Sequence, residues 1–184
     1  DQWYACVDGG DIIPDIIVGR VPSRSVNETR AIMDKLLAYQ SDYENSDWNK
    51  RMIFAADNNE VEFDFTGNSD ALIADNIPEL YAVEKIYLDD YGSASATKTA
   101  LLDAWNQGAL FVNYQGHGSN QLWANENILH RSDIPGMRNG SRLPVVLIEA
   151  CKNGDFVDPR IDKTSLAEYL LNERSRGAAG MYTG

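Results

Sequence analysis

The chain is poor in the residues that most often build sites. Its 184 residues include two cysteines, Cys6 and Cys151, and two histidines, His117 and His130. Two cysteines cannot make a disulfide framework and form one bridge at most. No CxxC pair or Cys/His cluster has the spacing of a zinc site. Basic residues are outnumbered, 16 Lys and Arg against 28 Asp and Glu, for a net charge of −12. That disfavours a nucleic-acid reader, which needs a basic stripe to neutralise phosphates, and it permits cationic substrates or bound cations. Uninterrupted apolar stretches are only a few residues long, as in Val145 to Ile148, far short of the roughly 20 residues that span a bilayer. There is no start Met, basic n-region or signal-peptide core, so the chain is expected to be a mature form or a piece of something longer.

What is present suffices for one domain. The length and an apolar share of 43% allow a real hydrophobic core. Residues 1–15, rich in Asp and Gly, read as a loop, and Asp15 to Gly19 (DIIVG) as a short buried strand. Ser25 and Glu28 have capping-box spacing and open a helix to about Gln40. Strands are expected at Arg51 to Ala56, Val83 to Leu88, Leu110 to Tyr114, Pro144 to Ala150 and Ala178 to Tyr182. Helices are expected at about 69–80, at Thr97 to Asn106 with Gly108 as its stop, and from the second capping box, Ser165 with Glu168, to about Arg174. Residues 57–68 read as a polar loop. Strands that alternate with helices and are apolar nearly throughout predict a mostly parallel sheet covered on both faces, an α/β fold of three layers. The last strand reaches Gly184 with no helix after it. The domain, residues 1–184, is therefore expected to be partial.

Two segments follow predicted strands and carry chemistry. Asn113 to Ser119 (NYQGHGS) and Glu149 to Phe156 (EACKNGDF) both lie at the carboxyl end of a strand, where open α/β sheets bind ligands. A thiol is a weak nucleophile until a neighbouring imidazole activates it, and the same imidazole can protonate a leaving amine. His117 and Cys151 supply that pair. Gly116 and Gly118 are expected to let a substrate backbone approach, and the N–H groups of Gly118 and Cys151 to form an oxyanion hole. Asp8, Asp11 and Asp15, set among glycines, are candidate oxygen ligands for a structural Ca²⁺, although their spacing is not that of an EF-hand. Cys6 and His130 read as structural.

GHGS after a strand, followed by EACKNGDF, resembles the gingipain family of cysteine peptidases. The lead-in DGGDIIPDIIVGRVPSRS, the strand RMIFAADN and the segment KIYLDDYG resemble it too, so that the likeness runs over the whole chain. It implies a caspase-like fold, His117 and Cys151 as the catalytic pair, and oxyanion donors at Gly118 and Cys151. It further implies that Asp57, after RMIFAA, supports the histidine, and that Asp70 is the candidate carboxylate for holding a basic substrate side chain. A secreted or cell-surface endopeptidase exported by the type IX route is the expectation, with a protein or peptide substrate, no required cofactor and further segments of its own polypeptide as partners. Two alternatives share the residues: a sortase-like transpeptidase of the same family, and an inactive binding module that keeps the fold.

Overall fold

A computed structural model of the chain describes residues 2–41, 46–157, 160 and 164–183. Five strands form one sheet: β1 (Arg51–Ala56), β2 (Ala82–Tyr87), β3 (Phe111–Gln115), β6 (Val145–Glu149) and β7 (Gly180–Thr183). Their order is β2-β1-β3-β6-β7, and every neighbouring pair is parallel. Two short strands, β4 (Leu122–Trp123) and β5 (Leu129–His130), make an antiparallel hairpin in the connection from β3 to β6. The helices are α1 (Val26–Ser41), α2 (Phe65–Asn76), α3 (Ala94–Gln107) and α4 (Leu166–Asn172).

Local chemistry explains the helix ends. Asp64 caps α2 by accepting the N–H of Gly67, and Ser93 caps α3 by accepting that of Ala96. Gly108 ends α3 with φ 91°, a conformation that favours glycine. Ser165 and Glu168 form the reciprocal capping box at α4. The buried Glu168 also pairs with Arg24 at 2.9 Å. Lys35 of α1 is buried and donates to the carbonyls of Leu170, Leu171 and Arg176, which ties α1 to the carboxyl end of α4.

Alternation along the strands sorts side chains onto two faces. Ile53, Ala55, Val112, Tyr114, Val146 and Ile148 point to one face, where they bury against Leu101 and Trp105 of α3, Trp123 and Leu129 of the hairpin, and Leu166 and Leu170 of α4. Met52, Phe54 and Ala56 point to the other face and pack on Phe65, Leu72 and Ile73 of α2. The expected three layers are thus present over β1 and β2. Over β6 and β7 this second face is open among the described residues, with Val145 and Tyr182 exposed.

Two expectations need correction. DIIVG is not a strand: Ile16, Ile17 and Val18 are exposed, and the N–H groups of Asp15 and Ile16 bond to the Ala5 carbonyl instead of a neighbouring strand. Helix α2 begins at Phe65, inside the stretch read as loop, because Asp64 rather than a later residue supplies the cap. Gly184 lies outside the described residues.

Candidate active site

The chain order reverses beside β1: it moves from β1 out to β2, then returns to β3 on the other flank. At such a switch point the connections leave in opposite directions and open a crevice at the carboxyl edge. The residues at that edge are Asp57 after β1 and Gly116 and His117 after β3, with Cys151 after β6 as the next in line.

His117 is held through both its main chain and its ring. Its backbone N–H donates to Asp57 Oδ2 at 3.0 Å. Its carbonyl accepts from the Tyr114 hydroxyl at 2.7 Å and from the Ala124 N–H at 2.9 Å. Its ring lies edge-on to Phe63 and Phe65, with centroid distances of 5.9 and 5.5 Å, and those two rings stack on one another. Nε2 is 3.3 Å from Glu60 Oε1. Glu60 stands in a tight turn closed by two backbone bonds with Phe63.

Asp57 therefore reaches the histidine through the main chain, while Glu60 is the carboxylate at the imidazole. Asp57 is buried, and its second oxygen accepts the N–H of Asn58 at 2.9 Å. Burial raises its pKa, and the two backbone N–H groups pull it back only in part. The Tyr114 phenol is raised as well, chiefly by burial and then by the Asp57 charge, so it stays a neutral donor to the His117 carbonyl. Glu60 and the two phenylalanines were missed in the sequence because the loop 57–68 reads as polar. The signal available there was a pair of aromatics, two residues apart, in a stretch otherwise rich in Asp and Asn.

The glycines beside His117 are required by packing. A side chain at Gly116 would run into Asp57 Cβ and the Tyr114 ring. One at Gly118 would come within 2.9 Å of Ala150 Cβ, 3.0 Å of Asn153 Nδ2 and 3.1 Å of the Cys151 carbonyl. The loops after β3 and β6 thus abut. Asn153, fully buried, clamps them together by donating from Nδ2 to the Ser119 carbonyl and to that of Leu122 at 3.2 Å. Cys151 is exposed, forms no disulfide with Cys6, and opens a turn whose second residue, Lys152, is left-handed at φ 58°.

Two donors stand unused. Gly118 pairs with Trp123 at a position where the flanking ladder bonds come from Ser119 and Ala124. Neither the Gly118 N–H nor the Cys151 N–H is taken by a hydrogen bond among the described residues.

Comparison with known proteins decides the family. The family model described as Peptidase family C25 matches residues 1–184. The chain belongs to peptidase family C25. Gingipain R2 of Porphyromonas gingivalis is 27% identical to this C25 chain over 181 residues, 96% of this chain and 24% of that protein. Lys-gingipain W83 of the same organism is 27% identical over 184 residues, 97% of this chain and 10% of that protein. Among solved structures, that of the Arg-specific cysteine proteinase gingipain R (RgpB) superposes with a TM-score of 0.83 at 22% identity, covering 98% of this chain and 42% of that one. A complex of RgpB pro- and mature domains gives 0.81 at 24% identity, covering 100% and 44%. The expected caspase-like α/β fold is thereby shown, and the chain spans about a quarter of the first of these curated relatives.

The remaining candidates of the C25 chain are otherwise engaged. Asp70 bonds to the Tyr87 hydroxyl at 2.6 Å and to Lys85 Nζ at 2.8 Å, contacts that hold its pKa low. Asp8, Asp11 and Asp15 turn their oxygens onto nearby backbone: Asp8 onto Gly9, Asp11 onto Ile13, and Asp15 onto Val7 and Asp8. Among the described residues no group of three or more His, Cys, Asp or Glu could hold a metal ion, so the three aspartates do not fit the expected Ca²⁺ site and no step is routed through one. His130 braces the hairpin through Ser132 and Gln121. Among the described residues no helix is long and apolar enough to cross a membrane.

Proposed function

We propose that this C25 chain is part of the catalytic domain of a cysteine endopeptidase that cleaves peptide bonds with Cys151 and His117. The observation that carries the reading is the junction of two loops. One holds an imidazole between a carboxylate and two aromatic rings, the other presents an exposed thiol, and each offers an unused N–H.

The reaction follows from those groups. His117 takes the thiol proton as Cys151 Sγ attacks the scissile carbonyl carbon. The carbonyl oxygen gathers negative charge and is received by the N–H groups of Gly118 and Cys151. His117 then gives the proton to the leaving nitrogen as the C–N bond breaks, leaving a thioester on Cys151. A water molecule, deprotonated by His117, attacks the thioester, and the acid leaves as the thiol regains its proton. Glu60 stabilises the transient imidazolium. Asp57 is a positioning residue that fixes the backbone of His117.

No cofactor enters this chemistry. The resemblance to gingipains supports export by the type IX route, action outside the cell or at its surface, and further segments of the same polypeptide as partners. The presence of both Cys151 and His117 argues against the inactive alternative, and the transpeptidase, which shares the family, is separated from hydrolysis by the added amine.

The test is reaction with a peptidyl electrophile, followed by peptide cleavage with and without an added amine. Cys151 is expected to be labelled in preference to Cys6, slowly in His117→Ala, and the products to be free acids even with the amine present. Peptide cleavage by a folded Cys151→Ala protein overturns the mechanism, and capture of the amine in the product identifies transfer in place of hydrolysis.

A further inference from the structure

Helix α4 is short, yet its amino end touches both loops of the active site. The first four N–H groups of a helix have no acceptor inside it. In α4 these belong to Ser165, Leu166, Ala167 and Glu168. The capping box uses two of them: Ser165 N–H donates to Glu168 Oε2 at 2.8 Å, and Glu168 N–H to Ser165 Oγ at 3.3 Å. The other two leave the helix. Leu166 N–H donates to the Asn120 carbonyl at 2.7 Å, and Ala167 N–H to the Asn153 carbonyl at 3.2 Å. Asn120 lies three residues after His117, and Asn153 two residues after Cys151. Two successive amides of one helical turn therefore hold the two loops at a set separation.

The cap carries a charge that capping does not require. A glutamine in place of Glu168 would close the same reciprocal bonds. Instead a carboxylate is buried there, and its other oxygen, Oε1, meets Arg24 Nη2 at 2.9 Å. Arg24 comes from the segment before α1 and also donates to the hydroxyl of Thr164, the residue ahead of the cap. Arg131, in the connection after β5, donates to the Thr164 carbonyl at 2.8 Å. A buried ion pair adds little net stability, because desolvation offsets the attraction, and its best-attested service is to fix register. The element whose register is fixed in this way is the one that bridges the two loops.

That spacing bears on the chemistry. The oxyanion donors come one from each loop, Gly118 and Cys151, so the hole keeps its shape only while the loops stand at one separation. Resting on the peptidase reading above, we infer that Glu168, locked by Arg24, is a positioning residue for peptide-bond cleavage. It fixes the amino end of α4 so that the Leu166 and Ala167 amides hold the His117 and Cys151 loops at the spacing the oxyanion needs. Charge on that oxygen develops only in the transition state, so the contribution falls on kcat rather than KM.

The test is peptide turnover by the full chain with the ion pair altered. Glu168→Gln keeps the cap and removes the pair. It is expected to lower kcat about tenfold, with KM held within about a factor of two. Arg24→Met is expected to match it, the double variant to be no worse, and Arg24→Lys to keep most of the activity. Lys35→Met is the control, because it loosens the opposite end of α4, where Lys35 holds the Leu170 and Leu171 carbonyls. It is expected to lower the melting temperature and leave kcat within about a factor of two. Unchanged kcat in Glu168→Gln overturns the inference. So does an equal loss in Lys35→Met, which would mark helix stability alone as the cause. Amide hydrogen exchange reads the clamp without turnover: Leu166 and Ala167 are expected to exchange faster in Glu168→Gln than in wild type. If the wild type neither cleaves peptides nor reacts at Cys151, the peptidase reading falls. Faster exchange at both amides then still supports the clamp, and unchanged exchange overturns it as well.

Discussion

The two loops that meet at the sheet edge are built in opposite ways. The His117 loop is over-determined: its main chain is fixed by Asp57, Tyr114 and Ala124, and its ring by Glu60, Phe63 and Phe65. The Cys151 loop is anchored beyond the thiol, by Asn153 and by Asp155 with Asn120, and carries an exposed thiol followed by a left-handed Lys152. The difference suits the tasks. An acid/base group must keep its orientation through several proton transfers, which rewards rigidity. A thiol must be reached by substrate and swing onto a carbonyl, which rewards exposure. The reference frame therefore belongs to β1 and β3, and the nucleophile is referred to it chiefly through the amides of Asn153 and Asn120.

The comparison is broken most severely by removing the reacting groups. Cys151→Ala and His117→Ala are each expected to lower kcat by at least about 10⁴-fold, with the double variant no worse, because the two act as a unit. Both side chains are solvent-accessible, so chemical denaturation is expected to show little change in stability. Additive losses in the double variant would show that the pair does not work together.

Asn153→Ala comes next. It strips the carbonyls of Ser119 and Leu122 of their donor inside the protein, which is expected to cost about 1–3 kcal/mol in urea unfolding. Turnover should fall by more than small-molecule alkylation of Cys151 does, because the thiol survives while its placement against His117 is lost. Equal loss in both assays would show that Asn153 supports the Cys151 loop alone.

Asp57→Asn separates the frame from the nucleophile. An amide oxygen can accept from His117 or Asn58 with less strength than the carboxylate, and a stability loss of about 1 kcal/mol is expected near neutral pH. The pH dependence has a definite sign. The folded-state pKa of Asp57 is raised above 3.8, so the native state holds this proton more tightly than the unfolded chain. Stability from that proton is full below the unfolded pKa and lost as pH rises through the folded one. The wild-type advantage over Asp57→Asn is thus expected to shrink as pH rises from about 4, a trend that stability curves at several pH values will show or refute.

The smallest effect concerns Lys152. A non-glycine residue at φ 58° carries a steric cost of roughly 1–2 kcal/mol, partly offset in glycine by the freedom of its unfolded chain. Lys152→Gly is expected to raise stability by up to about 1 kcal/mol and leave turnover within a factor of two. A large fall in turnover would mean that the strained turn itself aims the thiol.

Where the signals are local, the sequence was sufficient. Apolar runs of five or six residues marked β1, β3 and β6, because a strand buried on both faces needs no alternation. The capping box at Ser165 and the stop at Gly108 depend on residues within one turn of the helix. His117 and Cys151 could be paired because each follows a strand, and consecutive parallel strands share an edge. Contacts between distant segments were not legible. DIIVG has the composition of a buried strand, yet a strand needs a neighbour to bond, and the sheet supplies none there. The carboxylate at the imidazole proved to be Glu60 and not Asp57, because a turn of four residues swings the later side chain up to the ring while burial pins the earlier one against the main chain. Asp70 of α2 meets Lys85 and Tyr87 of β2 only because the sheet order sets β2 beside β1. Residue type and local spacing selected the candidate chemistry; the long-range packing of the sheet decided which carboxylate meets the imidazole and which the main chain.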